Sequence, residues 1–369
     1  MSILKKINKY VPAVSMVIIV LAIVAAGVNI GYVLSPRFAD WFNVSISNYL
    51  RGFLAFLTGW IPFSLAEFII LGSPFIAVGV IVWCVKYSSE STARLVRCIV
   101  GILSVIAAVY VMFVFNFGAG YRTTTLDKKL GLNAEAVSGE DLYNTMRIVV
   151  DKLDELEEEI TYAEGVGSVR PYSHNESVKK LMESYAQLHL DHDFIGLVKA
   201  PVKQLVVSDV MTYTHISGVY TFFTGEANLN TNYPYYVNVF TTAHEMAHQR
   251  GIARENEANF MAYLACINSS DPYIQYAGYL NMYEYLITPL YNASPALYSK
   301  IAIDLPEGAK YDLACYADFF EKYADNKVAE VSDAVNDTYL KTQGTEGSVS
   351  YGMVVDLAVA YHRPEFPAE

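Results

Sequence analysis

The residues most able to do chemistry lie between Thr241 and Cys266, in the stretch TTAHEMAHQRGIARENEANFMAYLAC. On an α-helix, His244 and His248 are one turn apart on the same face, so two imidazoles are placed to bind one metal ion. Glu245 is rotated about 100° from His244 and lies beside the ion rather than on it. A carboxylate in that position suits a general base that deprotonates water. The spacing therefore predicts a site for one Zn²⁺ per chain, with Glu245 as the catalytic residue.

A third metal ligand is expected just downstream. Gly251 is placed to end the first helix and turn the chain, so that a second helix, Arg254–Cys266, folds back toward the histidines. Glu255 and Glu257 both lie at its start, about 200° apart on the helix, so that both are not expected to bind one ion. We favour Glu255, with Glu257 as the alternative. Asn259 shares a face with Glu255 and is predicted to hydrogen-bond a ligating histidine.

A plainer interpretation is that the two histidines and the acids form a solvated helix face. The apolar residues among them argue against it, since Phe240, Met246, Phe260 and Met261 make both helices core elements. Burial of two histidines and a carboxylate without a metal is costly.

These motifs resemble those of the gluzincin zinc peptidases, which combine HExxH with a downstream glutamate that opens an ExxxD-type motif. The matching segments are HEMAH (His244–His248) and ENEAN (Glu255–Asn259). The resemblance implies a zinc-dependent peptidase of zincin-like fold. Two features depart from it: Asn259 stands in place of aspartate, and the gap between His248 and Glu255 is short. The metzincin pattern does not fit, because Arg254 stands where its third histidine would be.

Over nearly its full length the chain resembles an uncharacterised bacterial family of multi-span membrane proteins, a family of unknown function. The matching segments are NFGAGYR (Asn116–Arg122), GEANLN (Gly225–Asn230), HEMAHQRGIARENEANFMAYLAC and YGMVVDLAVAYHR (Tyr351–Arg363). This resemblance implies a membrane architecture and brings no activity with it.

The first third of the chain predicts a membrane anchor. Val11–Leu34 is an uncharged apolar run, long enough to cross a hydrocarbon core of about 30 Å. Two further spans are predicted at about Ser64–Trp83 and Cys98–Phe117. Phe53–Phe63 is too short to cross alone and is expected at the interface. Residues 1–120 are thus predicted to form a transmembrane anchor, and residues 121–369 a zincin-like metallopeptidase domain.

The orientation follows from the positive charges near the spans. Lys5, Lys6 and Lys9 precede the first span, and the Lys86–Arg97 connector is also basic. The N-terminus and this connector are therefore both expected in the cytoplasm, so that the domain after the third span lies outside the cytoplasmic membrane of a bacterium. If Phe53–Phe63 crosses separately, the domain returns to the cytosol.

The remainder of the chain predicts an α+β domain that is mostly helical. Val202–Phe223 is rich in β-branched and aromatic residues and suggests one or two strands. Almost everything after Thr241 has helical periodicity. The resemblance to gluzincins implies that a peptide binds along an edge strand, for which Gly218–Asn230 and Tyr235–Val239 are the alternatives.

Such peptidases also need a donor for the developing oxyanion. Tyr351, His362 and Tyr339 are candidates by residue type alone. Since the chain contains 29 tyrosines, packing is the simpler role for any one of them.

Composition narrows the choice of partners. The formal net charge of −12 disfavours nucleic acid, and four cysteines are too few for a disulfide scaffold. Cys266 and Cys315 are expected to be free thiols. The expected partners are a peptide or protein substrate and the lipid bilayer, with the oligomeric state open.

A membrane-anchored zinc metallopeptidase is the favoured function. A non-catalytic zinc-binding sensing or interaction module is the alternative, and three spans with one internal acid make a transporter or channel a poor third.

Overall fold

The computed structural model describes residues 8–133, 135–347 and 353–366. The described chain is mostly helical and includes two small sheets. Its first part contains three helices long and apolar enough to cross a membrane: α1 (Ala13–Leu34), α4 (Leu65–Ser88) and α5 (Thr92–Asn116). The three predicted spans are therefore confirmed as helices. α1 packs along α5, whereas no residue in the most apolar window of α4 is buried.

Two short helices lie between the first two spans: α2 (Pro36–Phe42) and α3 (Asn48–Gly59), joined by a π-helical turn. With 12 residues, α3 is too short to cross a bilayer, as the sequence predicted for this region. It contributes Arg51, which is fully buried and donates from Nη1 to Asn43 Oδ1 (2.9 Å) and to the Asn116 carbonyl (2.6 Å). Asn43 in turn donates to the Gly251 carbonyl (3.1 Å). The α2–α3 segment is thus fixed to a turn far along the chain.

The larger sheet has three strands: β3 (Val202–Gln204), β4 (Gly218–Thr221) and β5 (Glu226–Leu229). β5 is central, parallel to β3 and antiparallel to β4, so β4 is an edge strand. The smaller sheet pairs β1 (Tyr162–Ala163) with β2 (Gly167–Ser168).

The core consists of helices stacked behind the larger sheet. α10 (Tyr235–Gln249) packs on β5, α11 (Glu255–Ile267) and α12 (Pro272–Ala293). The other helices are α6 (Leu126–Leu130), α7 (Gly139–Leu156), α8 (His174–Asp191), α9 (Ser208–Met211), α13 (Pro295–Asp304), α14 (Glu307–Glu321), α15 (Lys327–Thr342) and α16 (Val354–His362).

The beginning of α4 is attached to the larger sheet. Glu226 of β5 accepts from the backbone N–H groups of Leu65 (3.1 Å) and Ala66 (2.8 Å), where a carboxylate suits the helix dipole. Glu67 accepts from the N–H groups of Val206 (3.1 Å) and Val207 (2.9 Å). These four bonds fix where the span leaves the domain.

Two sequence expectations differ from the structure. α10 begins at Tyr235, immediately after Pro234, so Tyr235–Val239 is helical and is no edge strand. Proline at the cap position fixes an extended backbone just before the helix. Within Val202–Phe223, where one or two strands were expected, two short strands form, and α9 and a 3₁₀ turn separate them. Cys266 and Cys315 are free thiols, as expected.

Candidate metal centre

The turn between α10 and α11 brings the candidate ligands together. Gly251 adopts φ 94°, in the region that favours glycine. Its N–H donates to the His248 carbonyl (2.9 Å), and the N–H of Ile252 donates to the Ala247 carbonyl (3.1 Å). This pair of bonds is a Schellman motif, which ends α10 and reverses the chain. The predicted role of Gly251 is confirmed, and α11 folds back along α10.

Three side chains converge at this reversal. Glu255 Oε2 lies 3.3 Å from His244 Nε2 and 3.5 Å from His248 Nε2. One ligand atom from each residue lies within 4.8 Å of the others. Both imidazoles present Nε2 to the same carboxylate oxygen, which leaves two nitrogens and one oxygen around a common point. This His–His–Glu cluster suits a divalent cation.

The orientation of the His248 ring is fixed on the side away from Glu255. Its Nδ1 lies 2.7 Å from the Ile252 carbonyl oxygen, so Nδ1 carries the proton and donates it. Nε2 is then the nitrogen that faces Glu255, as metal-ligating histidines require. The ring also packs edge-on against Phe117, with 5.8 Å between centroids. His244 Nδ1 is buried without a hydrogen-bond partner.

The electrostatics of the cluster favour positive charge at its centre. Burial by itself lowers the pKa of His248, but the charge of Glu255, its hydrogen bond and the nearby Glu245 raise it to about 9. Burial disfavours the charged form of Glu255, yet the two histidines hold its pKa well below the usual range. The carboxylate of Glu255 and the two imidazole nitrogens therefore face one another, an arrangement in which a cation can take the place of a proton.

Glu245 lies next to the cluster and opposite β4. Burial raises its pKa to about 7, although the neighbouring His244 and His248 counteract part of that rise. Its Oε2 is buried without a hydrogen-bond partner. A Cβ atom on Gly218 would come within 2.7 Å of Glu245 Oε1, so the backbone of β4 passes directly over this carboxylate.

Glu257, the alternative third ligand, points elsewhere. Its Oε1 accepts from the Leu126 N–H (3.0 Å) and from Arg254 Nη1 (2.7 Å), so it caps α6. The structure thus groups Glu255, and not Glu257, with the histidines. Asn259 lies in the cavity wall, but its Nδ2 is buried without a partner. The expected bond from Asn259 to a histidine is absent from the described contacts, because the Ile252 carbonyl already holds His248.

The three candidate oxyanion donors have different positions relative to the cavity. Tyr339 lines the cavity, and its hydroxyl accepts from the Tyr121 hydroxyl (3.2 Å), which leaves its own proton free to donate. His362 is buried between the Tyr263 hydroxyl (2.7 Å) and Glu365 (2.7 Å), a structural pairing. Tyr351 lies outside the described residues.

A cavity of about 1000 Å³ opens beside the cluster. The edge strand β4 forms one wall, and α15 contributes Ser332, Asp333 and Asn336 to the lining. Glu284 and Tyr285 of α12 also line it. The cluster and Glu245 therefore border a space large enough for several residues of an extended peptide.

Several contributors to this site carried no sequence signal. The Ile252 carbonyl acts through its backbone, and Phe117 lies more than a hundred residues before His248. Glu284 sits in a helix whose apolar pattern gives no hint of a cavity. Gly218 was visible only as a break between two strands, although a glycine inside a strand pattern often marks a close backbone approach.

Comparison with known proteins is consistent with this architecture. A family model described as "Protein of unknown function (DUF3810)" matches residues 42–359. No match was found among curated proteins or among solved structures. The matched region covers most of the chain and includes α4, α5, the larger sheet and the His–His–Glu cluster. The chain belongs to the DUF3810 family.

Proposed function

We propose that this protein is a membrane-anchored zinc metallopeptidase in which His244, His248 and Glu255 hold Zn²⁺. The observation that carries the proposal is the convergence of two imidazole nitrogens and one carboxylate oxygen within 4.8 Å, beside a cavity and a further buried glutamate. The likeness of HEMAH and ENEAN to the gluzincin motifs supports the same assignment.

The residues present fit this ion. The donors are two nitrogens and one oxygen, the set that catalytic zinc sites of the His₂Glu type use, and the cavity leaves the fourth side open. Glu255 Oε2 faces both imidazole Nε2 atoms, so its negative charge is directed at the point where a cation would lie. When bound, zinc supplies Lewis-acid chemistry, which polarises a carbonyl group and makes water more acidic.

Glu245 is the general base in this proposal. Its Oε2 has no hydrogen-bond partner and is therefore able to accept a proton from water that attacks a peptide carbonyl. A pKa of about 7 suits both the uptake of that proton and its later delivery to the leaving amine. Tyr339 is the described candidate for stabilising the oxyanion, because it lines the cavity and its hydroxyl accepts, rather than donates, the hydrogen bond from Tyr121.

The edge strand β4 supplies the means of holding a peptide. An extended chain laid along the cavity adds a strand to β4 through main-chain hydrogen bonds. Because Gly218 passes over Glu245, a peptide bound there has its backbone close to the proposed base.

The alternative function is a non-catalytic zinc-binding sensing or interaction module. The ligands alone are compatible with it, but a structural site needs neither an open side nor a buried carboxylate such as Glu245. The cavity beside the cluster therefore favours the enzyme. The basic residues around the first span and in the Lys86–Arg97 connector support a domain outside the bacterial cytoplasmic membrane.

The first test is the metal content of the purified full-length chain, compared with Glu255→Gln and Glu257→Gln. We expect about one zinc ion per chain in the natural protein and in Glu257→Gln, and at least a tenfold loss of zinc affinity in Glu255→Gln. These two variants are matched, because each removes one charge from the first turn of α11.

Activity is then compared with Glu245→Gln on a degenerate peptide pool. This variant should keep its zinc and lose hydrolysis by about 100-fold or more. A folded natural chain that binds no metal would overturn the proposal. Zinc binding without any hydrolysis would favour the sensing or interaction module instead.

A further inference from the structure

The cavity that borders the His–His–Glu cluster also reaches a membrane span. Ile70 of α4 lies in its lining, together with Phe222 and Phe223 just beyond β4. Ile70 is five residues into α4, about 7.5 Å from its start, and the helix has already become apolar there. The same continuous space thus touches both the proposed catalytic residues and a helix with the length and composition of a membrane span.

β4 leads from one of these regions to the other. At its beginning, Gly218 contacts Glu245. Just after its end, the Phe222 carbonyl accepts from Asn116 at the end of α5 (3.2 Å), and the Thr224 carbonyl accepts from Thr58 of α3 (3.2 Å). A peptide that follows this strand therefore runs between the cluster and the ends of the membrane helices.

Exposed apolar side chains lie on the two segments that border the cavity, around α9 and on α15. Six exposed side chains, which we call the apolar rim, recur at helical spacing: Val206, Val210, Tyr213, Val328, Val331 and Val335. The first three belong to the segment around α9, and the last three to α15. α15 contacts the 212–214 turn, which joins the two halves of the apolar rim.

Both halves of the apolar rim are tied to spans. The N–H of Val206 donates to Glu67 in the first turn of α4. At the other end, Tyr339 of α15 packs edge-on against Phe113 of α5, with 6.5 Å between ring centroids. Exposed apolar surface that is continuous with membrane spans is best covered by the bilayer. Thr214, His215 and Ile216, between the two halves, line the cavity.

We propose that the substrate is a polypeptide anchored in the same bilayer, which enters the cavity beside α4 and binds along β4 with the stretch next to its own membrane segment. This inference rests on the proposed peptidase function and names its substrate class. A free peptide in solution is the alternative occupant. Anchoring raises the local concentration of the substrate without any new contact.

The test captures the substrate without requiring turnover. A photo-reactive benzophenone side chain replaces Ile70 in one variant and Ile81 in another, both in the full-length Glu245→Gln chain in phospholipid vesicles. These positions are matched, since both are exposed isoleucines of α4 (52% and 60% exposed) on nearly the same helix face. Ile81 lies about three turns farther along and is absent from the cavity lining.

The probe is a short degenerate peptide joined to a Leu/Ala helix of roughly 20 residues in the same vesicles. The same peptide without the helix is the free form. We expect benzophenone at position 70 to cross-link the polar stretch of the anchored probe at least about tenfold better than benzophenone at position 81 does. At position 70, the anchored probe should also be cross-linked better than the free form. The natural zinc-loaded chain should cut the anchored probe within that stretch.

Equal cross-linking at Ile70 and Ile81, or no preference for the anchored probe, would overturn this inference even if free peptides are cleaved. A different result would separate the entry route from the peptidase function. Strong capture at Ile70 with no cleavage by the zinc-loaded natural chain would support the entry route and overturn the peptidase function.

Discussion

The imidazole ring of His248 has contacts on three sides, and each contact has a different effect. The Ile252 carbonyl binds Nδ1, Glu255 faces Nε2, and Phe117 packs against the ring. Since a histidine ligand must present one neutral nitrogen in a fixed direction, the backbone bond matters as much as the carboxylate. The site is therefore partly preformed by the turn that follows α10.

Gly218 gives a prediction at the scale of one residue. A methyl group there would lie 2.7 Å from Glu245 Oε1 and 2.7 Å from Thr241 Cγ2, so Gly218→Ala must displace the proposed base or the strand. We expect peptide hydrolysis to fall by about tenfold or more with unchanged zinc content, because a small misplacement of a base is costly. Steady-state kinetics and elemental analysis check this, with Gly52→Ala in α3 as the control, because no atom lies within 4 Å of the carbon added there. Full activity in Gly218→Ala would mean that β4 does not position Glu245.

The elements of the site depend on the turn between α10 and α11. Gly251 faces the buried Arg51 guanidinium, and its carbonyl accepts from Asn43. Helices α10 and α11 are thus joined, through one glycine, to the segment between the first two spans. A defect in this turn should reach the metal site and the anchor together.

Gly251→Ala tests this coupling between elements. The substitution adds a methyl group at φ 94° and in the space of Arg51, so we expect a loss of several kcal/mol and weaker zinc binding. Gly131→Ala is the matched control, because φ is 67° there and no atom lies within 4 Å of the added carbon. It should cost only about 1–2 kcal/mol and leave zinc binding intact. Thermal unfolding with and without zinc distinguishes them, and equal losses would contradict the role given to Arg51.

Local signals explain which elements were predictable from the sequence. The three spans follow from apolar length, and the paired helices at the site follow from HExxH, Gly251 and the apolar spacing around them. The partners of Glu257 and Arg51 could not be predicted, because Leu126 and Asn116 are distant from them in sequence and no local pattern selects them. The helical start of α10 at Tyr235 was not predicted, because Thr241 and Thr242 are residue types that favour a helix start and here they lie inside the helix.

At the scale of the whole molecule, anchor and domain are joined by a set of polar contacts, some of them buried. Besides the contacts of Glu226 and Glu67, Lys203 of β3 donates to the carbonyl of Thr58 in α3 (3.0 Å) and to those of Ile61 and Phe63 (3.1 Å) in the loop before α4. A boundary drawn at residue 120 cuts across all of these bonds. Measurements of metal binding or activity are therefore best made on the full-length chain.

Glu284 gives a prediction about the pH dependence of global stability. Burial and the charge of Asp312 raise the pKa of this cavity residue to about 8, although a hydrogen bond from Tyr236 counteracts part of the rise. The unfolded chain loses this proton near pH 4.3, so the folded state holds one proton more between about pH 4.3 and 8. Stability should then fall as pH rises through that window, by up to about 1.4 kcal/mol per unit.

Glu284→Gln removes that contribution. We expect the stability of the variant, relative to that of the natural chain, to increase as pH rises from about 5 to about 8. Above about pH 8 the difference should stay constant. Glu321→Gln, an exposed glutamate at the end of α14, controls for the loss of one charge. Thermal unfolding of the full-length chain across this range is the measurement. A constant difference between Glu284→Gln and the natural chain would show that Glu284 is ionised in the folded state.

The bond from Asn43 to Gly251 also sets an order of events during synthesis. The two residues are 208 positions apart, and Glu226 is 160 positions beyond the N–H of Ala66 that it caps. At roughly 5–20 residues per second, the ribosome needs on the order of 10–40 s to cover 200 residues. Until Gly251 and Glu226 have been made, Asn43 and the beginning of α4 lack these partners at the membrane surface. The His–His–Glu cluster can therefore be completed only after about two-thirds of the chain has been made.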